Sequence, residues 1–273
     1  MIDLHLHSRA SDGSLSPTEL MQLCAARGVQ MLALTDHDCL DGLTEARGAA
    51  HAAGIRFITG VEISVTWEHK TLHVIGLNID AGNAALSKGL AHLQTVRGGR
   101  AQAIGRRLES RNIPGAFAGA QQLAGNDNVT RTHFAQWLCS NGHAATPQKA
   151  FQRLLAHGKP GYVATTWASL EQSIGWIHAA GGQAVLAHPL RYGMTRSWLM
   201  KALTAFKQTG GDGIEVICGG GNRDECASAA HFAARFELSA SVGSDFHNPS
   251  TPWNQPGIKV SLPEKLTRVW ECF

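Results

Sequence analysis

The sequence predicts an α/β barrel interrupted by a small helical insertion, and three observations predict it. Short apolar, β-branched runs alternate with amphipathic helical runs at both ends of the chain. The middle, from about residue 84 to 156, carries helical patterns and no convincing strand. Finally, the strand-like runs end in His, Asp or Glu, where a β/α barrel gathers its functional groups.

Taken in order, residues 2–5 read as a short strand. Ser16-Pro17-Thr18-Glu19 is a capping box with proline at the first helical position, and residues 19–26 continue as a helix closed by Gly28. Residues 30–35 (QMLALT) form a buried strand, residues 43–53 a helix closed by Gly54, and residues 57–65 and 72–77 two strands. The pattern resumes with a helix over 170–180, closed by Gly181-Gly182, and a strand over 183–187. A helix over 198–207, a strand over 213–217, a helix over 223–236 and a strand over 238–242 follow. Repeated β–α units of this kind argue for a parallel sheet or barrel. In the middle, a long helix over 86–111 carries Arg97, Arg100, Arg106 and Arg107, read as a solvated face and not an RNA track. Helices over 132–140 and 148–157 follow, with a turn at Gly125-Asn126-Asp127-Asn128. The expected division is a barrel from residues 1–83 and 160–273, with residues 84–159 as a helical insertion over the substrate.

Composition narrows the class. With 273 residues, 44% hydrophobic and 16% charged, the chain suits one cored domain with an insertion. A net charge of +3 is too small to argue for nucleic-acid binding by bulk charge. No apolar run approaches the roughly 18 residues of a membrane span. The N-terminus enters a strand containing Asp and His, so no signal peptide is expected. Six cysteines without Cys-x-x-Cys spacing suit reduced thiols in a cytoplasmic protein, and no obligate protein partner is evident. Fourteen histidines favour metal chemistry.

Alternate side chains of a strand share a face, so His5 and His7 point the same way, a natural half of a metal site. His37 ends the second strand, Glu62 lies in the third, His73 in the fourth, His188 follows the fifth, and Asp245 and His247 end the last. Asp12, on the first loop, reaches the same rim. Six imidazoles and three carboxylates at one rim would leave many polar groups unpaired without metal, at about 1–3 kcal/mol each. Nine nitrogen and oxygen ligands exceed one site, so two to three divalent ions are expected, of a kind such as Zn, Mn or Fe. Glu62 is expected to bridge two of them. Clustered ions lower the pKa of a shared water and stabilise charge on attacking and leaving oxygens, so phosphate-ester hydrolysis by a metal-bridging hydroxide is favoured, with amide hydrolysis open.

The motifs DLHLHS, TDHD, GVEIS, AHP and GSDFH resemble those of the PHP (polymerase and histidinol phosphatase) family over residues 1–77 and 170–247. The resemblance implies a distorted seven-stranded β/α barrel with a trinuclear centre. It assigns His5, His7, Glu62 and Asp245 to one ion, Glu62, His73 and His188 to a second, and Asp12, His37 and His247 to a third. Some members carry His at the position of Asp12. Glu62, Asp245 and His188 are the catalytic candidates, and manganese is placed ahead of zinc or iron. The segments VTRTHFAQWL and GKPGYV resemble a subgroup of nucleoside 3′,5′-bisphosphate phosphatases and 5′-to-3′ exoribonucleases acting on short RNA. The leading expectation is removal of the 3′-phosphate from a nucleoside 3′,5′-bisphosphate. An exoribonuclease or oligonucleotidase comes second, then a histidinol-phosphate phosphatase, with a non-catalytic PHP module as the reading from another class.

A phosphate substrate needs cationic donors. Arg131 opens a helix of the insertion, combining a helix N-terminus with a bidentate fork. Arg191 follows His188 closely, Ser8 follows His7, Lys159 lies where the insertion returns to the barrel, and His133 is one helical step from Arg131. These five are the substrate-binding candidates.

Overall fold

The computed structural model describes residues 1–251 and 254–273. Seven strands lie in one sheet in chain order: β1 (Ile2–Asp3), β2 (Met31–Leu34), β3 (Arg56–Trp67), β4 (Lys70–Leu77), β5 (Gln183–Leu186), β6 (Gly213–Cys218) and β7 (Ser239–Gly243). The two edges meet: Leu4 N donates to Val242 O at 3.0 Å and Asp245 N to His5 O at 2.9 Å, nearly closing a barrel. Helices α1 (Pro17–Ala26) and α2 (Leu43–Ala52) pack with β2. The Ser16–Glu19 capping box starts α1 as expected.

One feature departs from an all-parallel reading. β3 and β4 form a hairpin, so β4 runs antiparallel to both β3 and β5. Only Glu68 and His69 connect the two strands, far short of the dozen or more residues a parallel crossover needs.

Between β4 and β5 come α3 (Ala84–Glu109), α4 (Ala116–Ala124), α5 (Arg131–Ser140), α6 (Pro147–Ala150) and a π-helical turn, Phe151–Leu155. They share an apolar cluster of their own, including Ile104, Leu108, Phe134 and Leu138. The first half of α3 instead buries Leu86, Leu90 and Leu93 in the main cluster with α7 (Leu170–Ala179), α8 (Arg196–Gln208) and α9 (Arg223–Arg235). Helix α3 thus ties the two clusters together. Helix α4 was not expected from sequence: left-handed glycines, Gly115 and Gly125, flank it in place of a Ser, Thr or Asp cap.

Candidate metal centre

Chain direction explains which side chains meet. Parallel β1, β2, β5 and β7 all end at one rim, and the chain leaves them carrying His5 and His7, His37, His188, and Asp245 and His247. Beyond β2, Asp38 N donates to Glu62 O and Glu62 N to Asp36 O, which sets His37 against Glu62 in the middle of β3. Because β4 runs the other way, its first half lies at this rim, with His73 opposite Ser64. His73 therefore belongs here although it begins its strand. The turns leaving β2, β5 and β7 at this rim each hold a non-glycine residue at positive φ: Asp38 at 51°, His188 at 28° and Asp245 at 54°. Such strain gathers at sites that the surrounding fold over-determines.

The polar atoms converge tightly. His5 Nε2 and His7 Nε2 lie 3.1 Å apart. Glu62 is fully buried. Its Oε1 is 3.0 Å from His73 Nδ1, 3.1 Å from His188 Nε2 and 3.3 Å from His5 Nε2. Its Oε2 is 2.8 Å from His37 Nδ1 and 3.4 Å from His7 Nε2. Asp245 Oδ1 is 3.3 Å from His7 Nε2, and Asp12 Oδ1 is 3.2 Å from His247 Nε2. Burial, then the neighbouring His247 and His37, push His7 down to about 3, leaving a neutral imidazole with its lone pair available. Against burial, Asp12 and then Asp245 raise His247 to about 10.

Supporting groups orient these side chains. Glu215, buried in β6, accepts from His5 Nδ1 at 2.9 Å and from His188 N at 2.6 Å, so His5 turns its Nε2 to the centre. A Cβ at Gly243 would collide with His5 Cβ and Glu215 Oε1, so glycine is required there. Asp36 accepts from Ser8 N, Ser8 Oγ and Ser11 Oγ, shaping the loop that brings in Asp12.

These residues fit divalent ions. Bonds of about 2.1 Å put neighbouring ligand atoms about 3.0–3.4 Å apart, close to the separations just given. Asp12 Oδ1 and Glu62 Oε2 are buried and, although His247 Nε2 and His37 Nδ1 lie 3.2 and 2.8 Å away, make no well-aligned hydrogen bond among the described residues, a cost that coordination removes. Ligand atoms group as His5–His7–Asp245, His37–Glu62–His73 and His7–Asp12–His37–His247.

A profile of the PHP domain matches residues 3–216. The chain belongs to the PHP domain family. It is 45% identical over 270 residues to a 3′,5′-nucleoside bisphosphate phosphatase of Chromobacterium violaceum, covering 98% of this chain and 95% of that protein. It is also 45% identical to a 5′-3′ exoribonuclease of Haemophilus influenzae, covering 99% and 98%. A solved amidohydrolase structure from Chromobacterium violaceum, with bound sulfate and no metal, superposes with a TM-score of 0.95 at 45% identity, covering 99% of this chain and 94% of that one.

The structure brings all nine expected ligands to the PHP rim, with a grouping that differs in detail from the expected one. His37 stands between Glu62 and Asp12, and His7 reaches both His5 and His247, so each faces two groups. Of the substrate candidates, Arg131 lines a cavity beside Asp12, His37 and His73. Arg191 is at the rim, its Nη1 4.0 Å from Asp245 Oδ2. Ser8 is fully buried and donates its hydroxyl proton to Asp36 at 2.6 Å, so it is not placed to meet a phosphate. His133 Nδ1 accepts from Thr130 N at 3.1 Å, closing a capping box on α5. Lys159 is exposed in a turn and is not in the lining of that cavity.

Sequence reading missed two arginines. Arg97 and Arg100 are not a solvated face: both line the cavity with Arg131, Phe151 and Trp167, while Arg106 and Arg107 are exposed. Burial, then Arg131 and Arg97, push Arg100 down to about 9. The signal for Arg97 was its place in the apolar stripe of α3. Glu215 was missed as well, although a lone acid within GIEVIC marked it.

Proposed function

We propose that this protein is a metal-dependent phosphatase that removes the 3′-phosphate of nucleoside 3′,5′-bisphosphates, yielding a 5′-mononucleotide and phosphate. One observation carries the reading: the cavity against Asp12, His37 and His73 is walled by three guanidiniums, Arg97, Arg100 and Arg131. Asp38 pairs with Arg97, whereas Arg100 and Arg131 have no ion pair among the described residues, and like charges crowded in a buried pocket favour an anion held there. A substrate with two phosphates satisfies both features, one phosphate at the ligands and one at the arginines. The name of the Chromobacterium relative supports this substrate class.

In this reading Glu62, Asp245 and His188 hold the centre, and manganese is the resident ion. Divalent ions there supply an activated water and stabilise charge on the attacking and leaving oxygens. Arg131 and Arg100 grip the phosphate that is not cleaved and hold the reacting one in register. Arg191, its Nη1 4.0 Å from Asp245 Oδ2, meets the reacting phosphate in this reading. Residues 84–159 act as an insertion that covers the substrate, on a barrel of residues 1–83 and 160–273. No helix among the described residues is long and apolar enough to cross a membrane, and the six cysteines are free, which suits the cytoplasm.

The test is a comparison of substrates. The 3′,5′-bisphosphate should exceed the 3′-monophosphate in kcat/KM by orders of magnitude, and Arg131→Ala should erase most of that preference. Equal rates on the two wild-type substrates refute the anchoring. The Haemophilus relative favours a second reading, 5′-to-3′ cleavage of short RNA at the same site. Faster turnover of a 5′-phosphorylated tetranucleotide than of the bisphosphate selects it.

A further inference from the structure

The two oxygens of Asp12 face different partners. Oδ1 faces His247 Nε2 at 3.2 Å and His37 Nε2 at 3.8 Å. Oδ2 accepts from two hydroxyls of the helical region, Thr130 Oγ1 at 3.1 Å and Thr132 Oγ1 at 2.9 Å. Thr130 Oγ1 also accepts from Thr132 N at 3.1 Å, and its one proton goes to Asp12 Oδ2 because His133 Nδ1, farther away at 3.4 Å, already accepts from Thr130 N. A little upstream, Asn128 Nδ2 donates to His37 O at 2.9 Å. One short segment therefore grips Asp12 by its carboxylate and His37 by its backbone. Between the two threonines sits Arg131, its guanidinium carbon 5.7 Å from the Phe151 ring and directed into the cavity.

We infer that Thr130 and Thr132 are positioning residues for Asp12, and that the turn they form couples ion binding at Asp12, His37 and His247 to anion binding at Arg131. Two hydroxyls on Oδ2 fix the carboxylate so that Oδ1 stays aimed at the histidines. Hydrogen-bond partners of this kind orient a metal ligand and are worth about 10- to 100-fold in metal affinity. An anion that holds Arg131 also holds the residues on either side of it, and the effect is reciprocal by linkage. The coupling half rests on the reading of the arginine cavity proposed above, whereas the positioning half does not.

The test is a manganese titration by calorimetry and electron paramagnetic resonance, with and without adenosine 5′-monophosphate. Thr132→Val removes one hydroxyl at constant shape and leaves the Thr130 cap in place. It should weaken the weakest manganese site about 10- to 100-fold, and Thr132→Ser should restore it. Wild-type manganese affinity and stoichiometry in Thr132→Val overturn the positioning. In the wild type, the nucleotide should tighten that same site about fivefold or more, and Thr132→Val should lose the effect. Nucleotide that binds without changing the manganese titration overturns the coupling alone. Nucleotide that does not bind at all overturns the coupling together with the proposed substrate, and the Thr132→Val result still decides the positioning.

Discussion

Replacing Arg97 with Met should destabilise this protein more than any surface substitution. Arg97 is 4% exposed, and its Nη2 donates to Asp38 Oδ2 and to Ser64 Oγ. Its guanidinium lies 5.0 Å from the Trp167 ring centroid. Asp38 is fully buried at a φ of 51° and also accepts from Ser64 N at 2.7 Å and Ser64 Oγ at 2.8 Å. Without Arg97 the carboxylate stays buried with two neutral donors and no counter-charge. Breaking such a pair from one side costs about 3–5 kcal/mol. The two remaining donors place the cost near the lower end, about 3 kcal/mol, which for a chain of this size lowers Tm by about 6–12 °C. The double variant Arg97→Met, Asp38→Asn removes both charges and should be less destabilised than the sum of the single changes by about 1 kcal/mol or more. Thermal unfolding followed by circular dichroism, at constant manganese, reads both quantities. A drop below about 2 °C in Arg97→Met, or additivity within about 0.5 kcal/mol, refutes the reasoning.

Chelation should unfold the protein at lower temperature: at an ion concentration about 100 times Kd the linkage is about 2.7 kcal/mol, so excess chelator should lower Tm by about 5–10 °C and added manganese should restore it. An unchanged Tm would deny the ions any role in holding the rim together. Glu62→Gln should cut turnover by more than about 100-fold, since loss of a ligand exceeds the effect of its supporting partners, while the circular dichroism spectrum stays the same. Near-normal activity in that variant rules out Glu62 as the bridge. Arg100→Met removes one charge-assisted contact worth about 1.5–3 kcal/mol, so kcat/KM on the bisphosphate should fall about 10- to 150-fold while the 3′-monophosphate is little affected. Equal losses on both substrates place Arg100 away from the uncleaved phosphate.

The candidate metal rim was legible because strand periodicity and chain direction act locally. His5 and His7, like Asp245 and His247, are two apart at the end of a strand, and that spacing alone puts each pair on one face. His73 was harder to place for a topological reason. Strand direction follows from the connection, and the short link between β3 and β4 turns the start of β4 toward the site. Ser8 shows the limit of proximity in sequence. It follows a candidate ligand directly, yet its hydroxyl donates to Asp36, a partner 28 residues away that no local pattern indicates.

Arg97 and Glu215 belong to another kind of signal, which sequence periodicity does carry. The buried positions of α3 include Leu86, Leu90, Leu93, Arg97, Ala101, Ile104 and Leu108, steps of three or four residues along one face. An arginine on that stripe is buried by the same rule that buries the leucines, and a buried charge persists only when paired. Arg106 and Arg107 fall off the stripe and are exposed, as the period requires. Glu215 repeats the case with the period of a strand. It stands in β6 between buried Ile214 and Val216, and β6 is flanked by β5 and β7 with helix α9 packed against it. An acid there is 1% exposed and must meet a donor. Its donors are His5 Nδ1 and the backbone of His188, so the carboxylate that breaks the apolar pattern of β6 is also the one that aims an imidazole at the candidate metal centre.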